Sequence, residues 1–73
     1  MTTPEMIPVS SSNVASIGYE AATQTVYVRF TNNSLYAYKN VPEGDYQGLL
    51  NAPSVGSYLH RNYKNVYPYE RIE

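Results

Sequence analysis

Cysteine is absent from this 73-residue chain, and histidine occurs once, at His60. Disulfides and thiolate metal sites are therefore excluded, and no paired His or Cys spacing exists to hold a structural zinc. Tryptophan is missing and phenylalanine occurs once. A surplus of basic residues is missing too: five Lys and Arg stand against six Asp and Glu, for a formal charge of −1. Nonspecific binding to a polyanion depends on many cations neutralising phosphates, so this balance argues against a general nucleic-acid coat. It permits a small anionic ligand, which needs only one or two well-placed cations. No apolar run approaches the roughly 20 residues that cross a bilayer. The first nine residues hold no basic-then-apolar leader. No membrane partner is expected, and a cytoplasmic location is.

The length allows one domain. A domain this small buries only about 60% of the surface its unfolded chain exposes, so it is marginal alone. With disulfide and metal excluded, a bound ligand or a partner copy is left to supply the shortfall, and a homo-oligomer is expected. No cofactor is expected.

What the chain has in quantity is tyrosine, nine in all. A tyrosine buries a large ring and keeps a polar tip, which suits both half-wet cores and binding surfaces. Residues 1–12 carry Pro4, Pro8 and three consecutive serines with little periodicity, and read as an extended arm. Residues 13–73 read as the single domain. Residues 13–19 form a first strand with Ala15, Ile17 and Tyr19 on one side. Residues 25–30 alternate β-branched and aromatic types and form a second. Residues 35–39 form the return strand. Val41-Pro42-Glu43 opens a helix, with Tyr46, Leu49 and Leu50 on its apolar face. After Asn51-Ala52-Pro53, Ser54 caps a second helix, with Val55, Tyr58 and Leu59 on one face. The class is α+β: a three-stranded antiparallel meander followed by two short helices, in the order β-β-β-α-α, with the helices on one face.

With Asn32-Asn33 as a two-residue hairpin loop, Arg29 faces Tyr36 and Tyr27 faces Tyr38. One face then carries Val26, Val28, Phe30, Leu35 and Ala37, and the other Tyr27, Arg29, Tyr36 and Tyr38. The second face is a tyrosine platform with one guanidinium. It suits a flat ring stacked beside an anion. It also suits cross-strand pairing on an exposed sheet, or the interface with a second copy. Ser54-Val55-Gly56-Ser57 opens the second helix, where free amides and a missing side chain favour a phosphate, or where an N-cap and a packed glycine simply sit. Tyr58 and Arg61 follow on that helix and form the other half of a candidate anion site, while Lys64 reads as a solvated neighbour of Arg61. His60 has no partner at fixed spacing. Glu43 with Asp45 and Glu70 with Glu73 read as solubilising pairs, and the serines at 10–12 sit in no nucleophile elbow. No catalytic residue is expected.

Several of these residues also carry a resemblance: Ser10-Ser11, Ile17-Gly18-Tyr19, Tyr36-Ala37-Tyr38, Val41-Pro42, Tyr46, and Ser54-Val55-Gly56 followed by Tyr58. In this order and spacing, residues 9–72 resemble the KTSC domain family. These are small domains found at the C-terminus of some lysyl-tRNA synthetases and as single-domain bacterial and phage-type proteins. The resemblance implies an α+β fold and an RNA-binding role. The chain departs from the family at Asn32-Asn33-Ser34, where a glycine is usual, and at Leu59-His60-Arg61, where an aromatic residue and Asn are frequent. Together these readings give an expected function. It is a non-enzymatic module for a small anionic nucleotide-type ligand, held by Arg29, Tyr36, Tyr38, Ser54, Gly56, Tyr58 and Arg61, sequestering a nucleotide signal as a homo-oligomer. An RNA-binding accessory domain is the first alternative, and an assembly module without a small ligand is the second.

Overall fold

The computed structural model describes residues 4–73; the first three residues of the expected arm lie outside them. The elements are β1 (Ile7–Pro8), β2 (Val14–Glu20), β3 (Thr25–Phe30), β4 (Leu35–Tyr38), α1 (Glu43–Leu50), α2 (Val55–Asn62) and β5 (Tyr69–Arg71). The strands form one sheet in the order β1-β2-β3-β4-β5, each antiparallel to its neighbours. The expected meander is therefore the centre of a five-stranded sheet. The added strands sit at its two edges and carry no alternating pattern. Pro8 is tolerated because an edge strand can forgo a ladder donor, and all three residues of β5 are exposed.

Both expected helices form. The Ser54 hydroxyl accepts from the Ser57 amide at 3.3 Å, which makes Ser54 the N-cap of α2. Pro42 is the residue before α1, not its first turn, and Glu43 and Asp45 occupy that turn. Both helices cover one face of the sheet. Tyr46 and Leu49 from α1 and Val55 and Leu59 from α2 share a core with Val14, Ile17, Val26, Val28, Tyr38 and Tyr63. Val14 and Ile17 both reach this core because a bulge interrupts β2 between Val14 and Ser16. The extra residue is Ala15, which is exposed. A regular strand would have sent Val14 and Ile17 to opposite faces.

The β3–β4 hairpin corrects the expected sorting of side chains. Its loop is three residues, 31–33, not two. The Phe30 amide donates to the Ser34 carbonyl and the Asn33 amide to the Phe30 carbonyl, both at 2.9 Å, and Asn33 is left-handed at φ 75°. This is the three-residue hairpin form, whose last loop residue is left-handed. Asn32 secures it, its Oδ1 accepting from the Ser34 amide at 3.0 Å and the Ser34 hydroxyl at 2.6 Å. The register moves by one: Val28 pairs with Tyr36, Val26 with Tyr38, and Arg29 with Leu35. Every β4 side chain thus changes face. Tyr36 and Tyr38 join Val26, Val28 and Phe30 beneath the helices, and the tyrosine platform with Arg29 does not exist.

The opposite face holds Tyr27, Leu35 and Ala37 in a second small core with Met6 against it. Gly18 lies opposite Tyr27. A Cβ there would stand 2.8 Å from the Glu5 carbonyl oxygen and 2.8 Å from the Met6 sulfur. The missing side chain lets the arm lie flat on this face, so a sheet side expected to be open is roofed by the chain's own beginning.

Candidate functional site

On the helix face, α2 does not cover the hairpin end of the sheet completely. A groove of about 550 Å³ remains between them, a size typical of small-molecule sites. Phe30, Tyr36, Tyr38 and Tyr69 form its sheet wall, and Gly56, Leu59 and His60 its helix wall, with Lys64 also lining it. The rings are arrayed in contact. Tyr36 meets Phe30 edge-on with centroids 5.3 Å apart, and Tyr69 leans on Tyr36 and Tyr38 at 5.8 and 5.6 Å. Tyr38 is the inner ring, 7% exposed and edge-on to the buried Tyr63. Burial pushes the Tyr38 phenol up, with Tyr69 and Tyr36 adding to the effect, so it stays neutral. Tyr36 is half-buried and Tyr69 is 58% exposed, so these two offer ring faces to a ligand.

A second groove of about 600 Å³ continues from the first. Its walls are the serine loop at residues 10–13 and the start of α2, with Ser54, Ser57, His60 and Arg61. Asn13, Gly56 and His60 line both grooves. Ser11 organises the loop by accepting from the Asn13 and Val14 amides at 3.3 Å each. Its hydroxyl lies 3.4 Å from where a Gly56 Cβ would be, so the serine loop and the start of α2 approach each other closely at Gly56.

The charges sort in one direction. Arg29 pairs with Glu73 at 2.7 Å and Lys39 with Glu70 at 3.1 Å. Among the described residues, Arg61, Lys64 and His60 enter no ion pair, and no Asp or Glu lines either groove. Arg61 of α2 and Lys64 just beyond it therefore stand at the grooves with no carboxylate lining either groove among the described residues.

The expected site residues divide accordingly. Tyr36, Tyr38 and Gly56 line the first groove, and Ser54, Gly56 and Arg61 the second. Arg29 is excluded: it lies on the arm-covered face, where its Nη1 donates to Glu73 and to the Asn33 carbonyl. Tyr58 lines neither groove, because its ring packs over Gly48 of α1, where a Cβ would overlap it. The Ser57 amide is taken by the Ser54 cap, so the helix end offers fewer free donors than expected. Sequence reasoning missed His60, Asn13, Phe30 and Tyr69. The i, i+4 spacing of Gly56 and His60 was the available signal for His60, since it sets both over one patch of helix surface. Among the described residues, no cluster of His, Asp or Glu could hold a metal ion, and no helix is long and apolar enough to cross a membrane.

Comparison with known proteins matches residues 10–67 to the KTSC domain. A crystal structure of a KTSC domain protein from Yersinia pestis superposes with a TM-score of 0.90 at 30% identity, covering 94% of this chain and 97% of that one. An uncharacterized protein of Stutzerimonas stutzeri is 35% identical over 68 residues, 92% of this chain and 96% of its own length. The lysine–tRNA ligase of Trichormus variabilis is 34% identical over 67 residues. This chain spans 12% of that ligase's length.

Proposed function

Given that this chain belongs to the KTSC domain family, we propose that it is a non-enzymatic module that binds, and by binding sequesters, a small anionic ligand of nucleotide type. The observation that carries this reading is the junction of the two grooves at Gly56 and His60. It sets an aromatic wall and a wall of serine hydroxyls and Arg61 side by side. Stacking on a ring is worth about 1–3 kcal/mol per base and tolerates many bases. A guanidinium meets phosphate with a bidentate fork. The test is calorimetric titration with a nucleotide panel. Tyr36→Ala should weaken binding by about 1–3 kcal/mol without changing its salt dependence. Tyr36 is the proper probe because Tyr38 belongs to the core, where truncation would cost stability as well. If no nucleotide binds the wild-type chain at millimolar concentration, the reading fails.

The similarity to a lysine–tRNA ligase favours RNA as a second reading. Salt dependence separates the two. A slope of log K against log salt steeper than about −3 would mean that four or more phosphates are neutralised, which two or three cations do not supply.

A further inference from the structure

The two grooves differ in what they can hold, and the difference narrows the ligand. The first is walled by rings, of which Tyr36 is half-buried and Tyr69 is 58% exposed. Among the described residues, the second has no Phe, Tyr or Trp; its wall includes serine hydroxyls, the Arg61 guanidinium and the His60 imidazole. A base placed in the second groove would lose water without gaining a stacking partner. A phosphate there gains hydroxyl donors and a charge-assisted fork. Resting on the nucleotide reading above, we infer that the ligand is a nucleoside di- or triphosphate, one base carrying a chain of phosphates, and not a ligand with two bases. The base lies in the ring-walled groove, the ribose-linked phosphate passes Gly56 beside His60, and the outer phosphates extend toward Arg61. Among the described residues, no carboxylate lines either groove to repel added phosphates.

The experiment titrates the full chain, in EDTA and at fixed ionic strength, with a nucleoside and its mono-, di- and triphosphate. All four common bases are run, and a cyclic dinucleotide is added. Affinity should rise with phosphate number, by about tenfold for the phosphate that meets Arg61, since a hydrogen bond to a charged group is worth about one such factor. The cyclic dinucleotide should bind no more tightly than the monophosphate. Arg61→Gln, at an exposed position, should flatten the ladder. A flat ladder in the wild type, or a cyclic dinucleotide that outbinds the triphosphate, overturns this inference and leaves the nucleotide reading standing. No binding by any member overturns both.

Discussion

Tyr63 shows how this chain uses tyrosine. Its ring is fully buried, yet its hydroxyl donates to the Asp45 carbonyl at 3.0 Å. Tyr19 does the same to Val41 at 2.7 Å while stacking on Tyr46. Tyr67 donates to the Asp45 carboxylate. These rings fill a small core and use their polar tips to fix α1, leaving Tyr36 and Tyr69 for the surface. The Tyr67 phenol is pushed up to about 12, first by its hydrogen bond to Asp45 and then by burial, and burial also raises Tyr63. The folded chain holds these protons more tightly than the unfolded chain does. The Tyr67 contribution is therefore fully present below the ordinary tyrosine value of 10 and is lost as pH rises toward 12, and that of Tyr63 also declines only above 10. Urea melts should show stability falling above that lower limit. Tyr67→Phe should cost about 1 kcal/mol at neutral pH and make the alkaline loss less steep. Gly56 permits a sharper separation of folding from binding. Alanine there suits a helix better than glycine by about 0.5–1 kcal/mol, so Gly56→Ala should melt no lower than the wild type. Its methyl group would enter both grooves, and nucleotide affinity in the same preparation should fall.

Among the elements, the β3–β4 hairpin decides most. One loop residue more than expected turns β4 over, carries Tyr36 and Tyr38 to the helix face, and leaves Arg29 beside Glu73. Asn33 bears the left-handed conformation that makes this loop possible. An ordinary L-residue pays roughly 1–2 kcal/mol for it, which asparagine partly avoids and glycine does not pay. Asn33→Ala should therefore lower stability by about 1 kcal/mol, and Asn33→Gly should leave it equal or higher, as read by chemical denaturation. The α2 helix matters next. Its buried residues, Val55 and Leu59, anchor it to the core. Gly56 and His60, each one position further along, are thereby turned toward the grooves.

For the molecule as a whole, the sheet ends in two short edge strands, and Val66, Tyr69 and Ile72 remain exposed at 59%, 58% and 48% around the β5 edge. A small cysteine-free domain with an open edge gains from a second copy, and self-association is the expected outcome. The melting temperature should then rise with protein concentration. A concentration-independent melt with a monomer mass by light scattering would remove the oligomer from the functional reading. How much of this molecule could be read without its structure depends on the range of the interactions involved. The α+β class, the three central strands, both helices and the Ser54 cap follow from local patterns, because alternation, 3.6-residue spacing and capping act within a few residues. The pairing of Arg29 with Glu73 joins the hairpin to the far end of the chain. The covering of Tyr27 by the arm, the bulge at Ala15 and the edge strands likewise depend on backbone partners distant in sequence. The one-residue choice of hairpin register was open locally, since both loop lengths suit the residues at 31–34. It was settled by which side chains the helices and the arm could bury. Aromatic and cationic residues in plenty were legible from the start; that the usable ones meet at Gly56 and His60 is a consequence of packing α2 against the sheet.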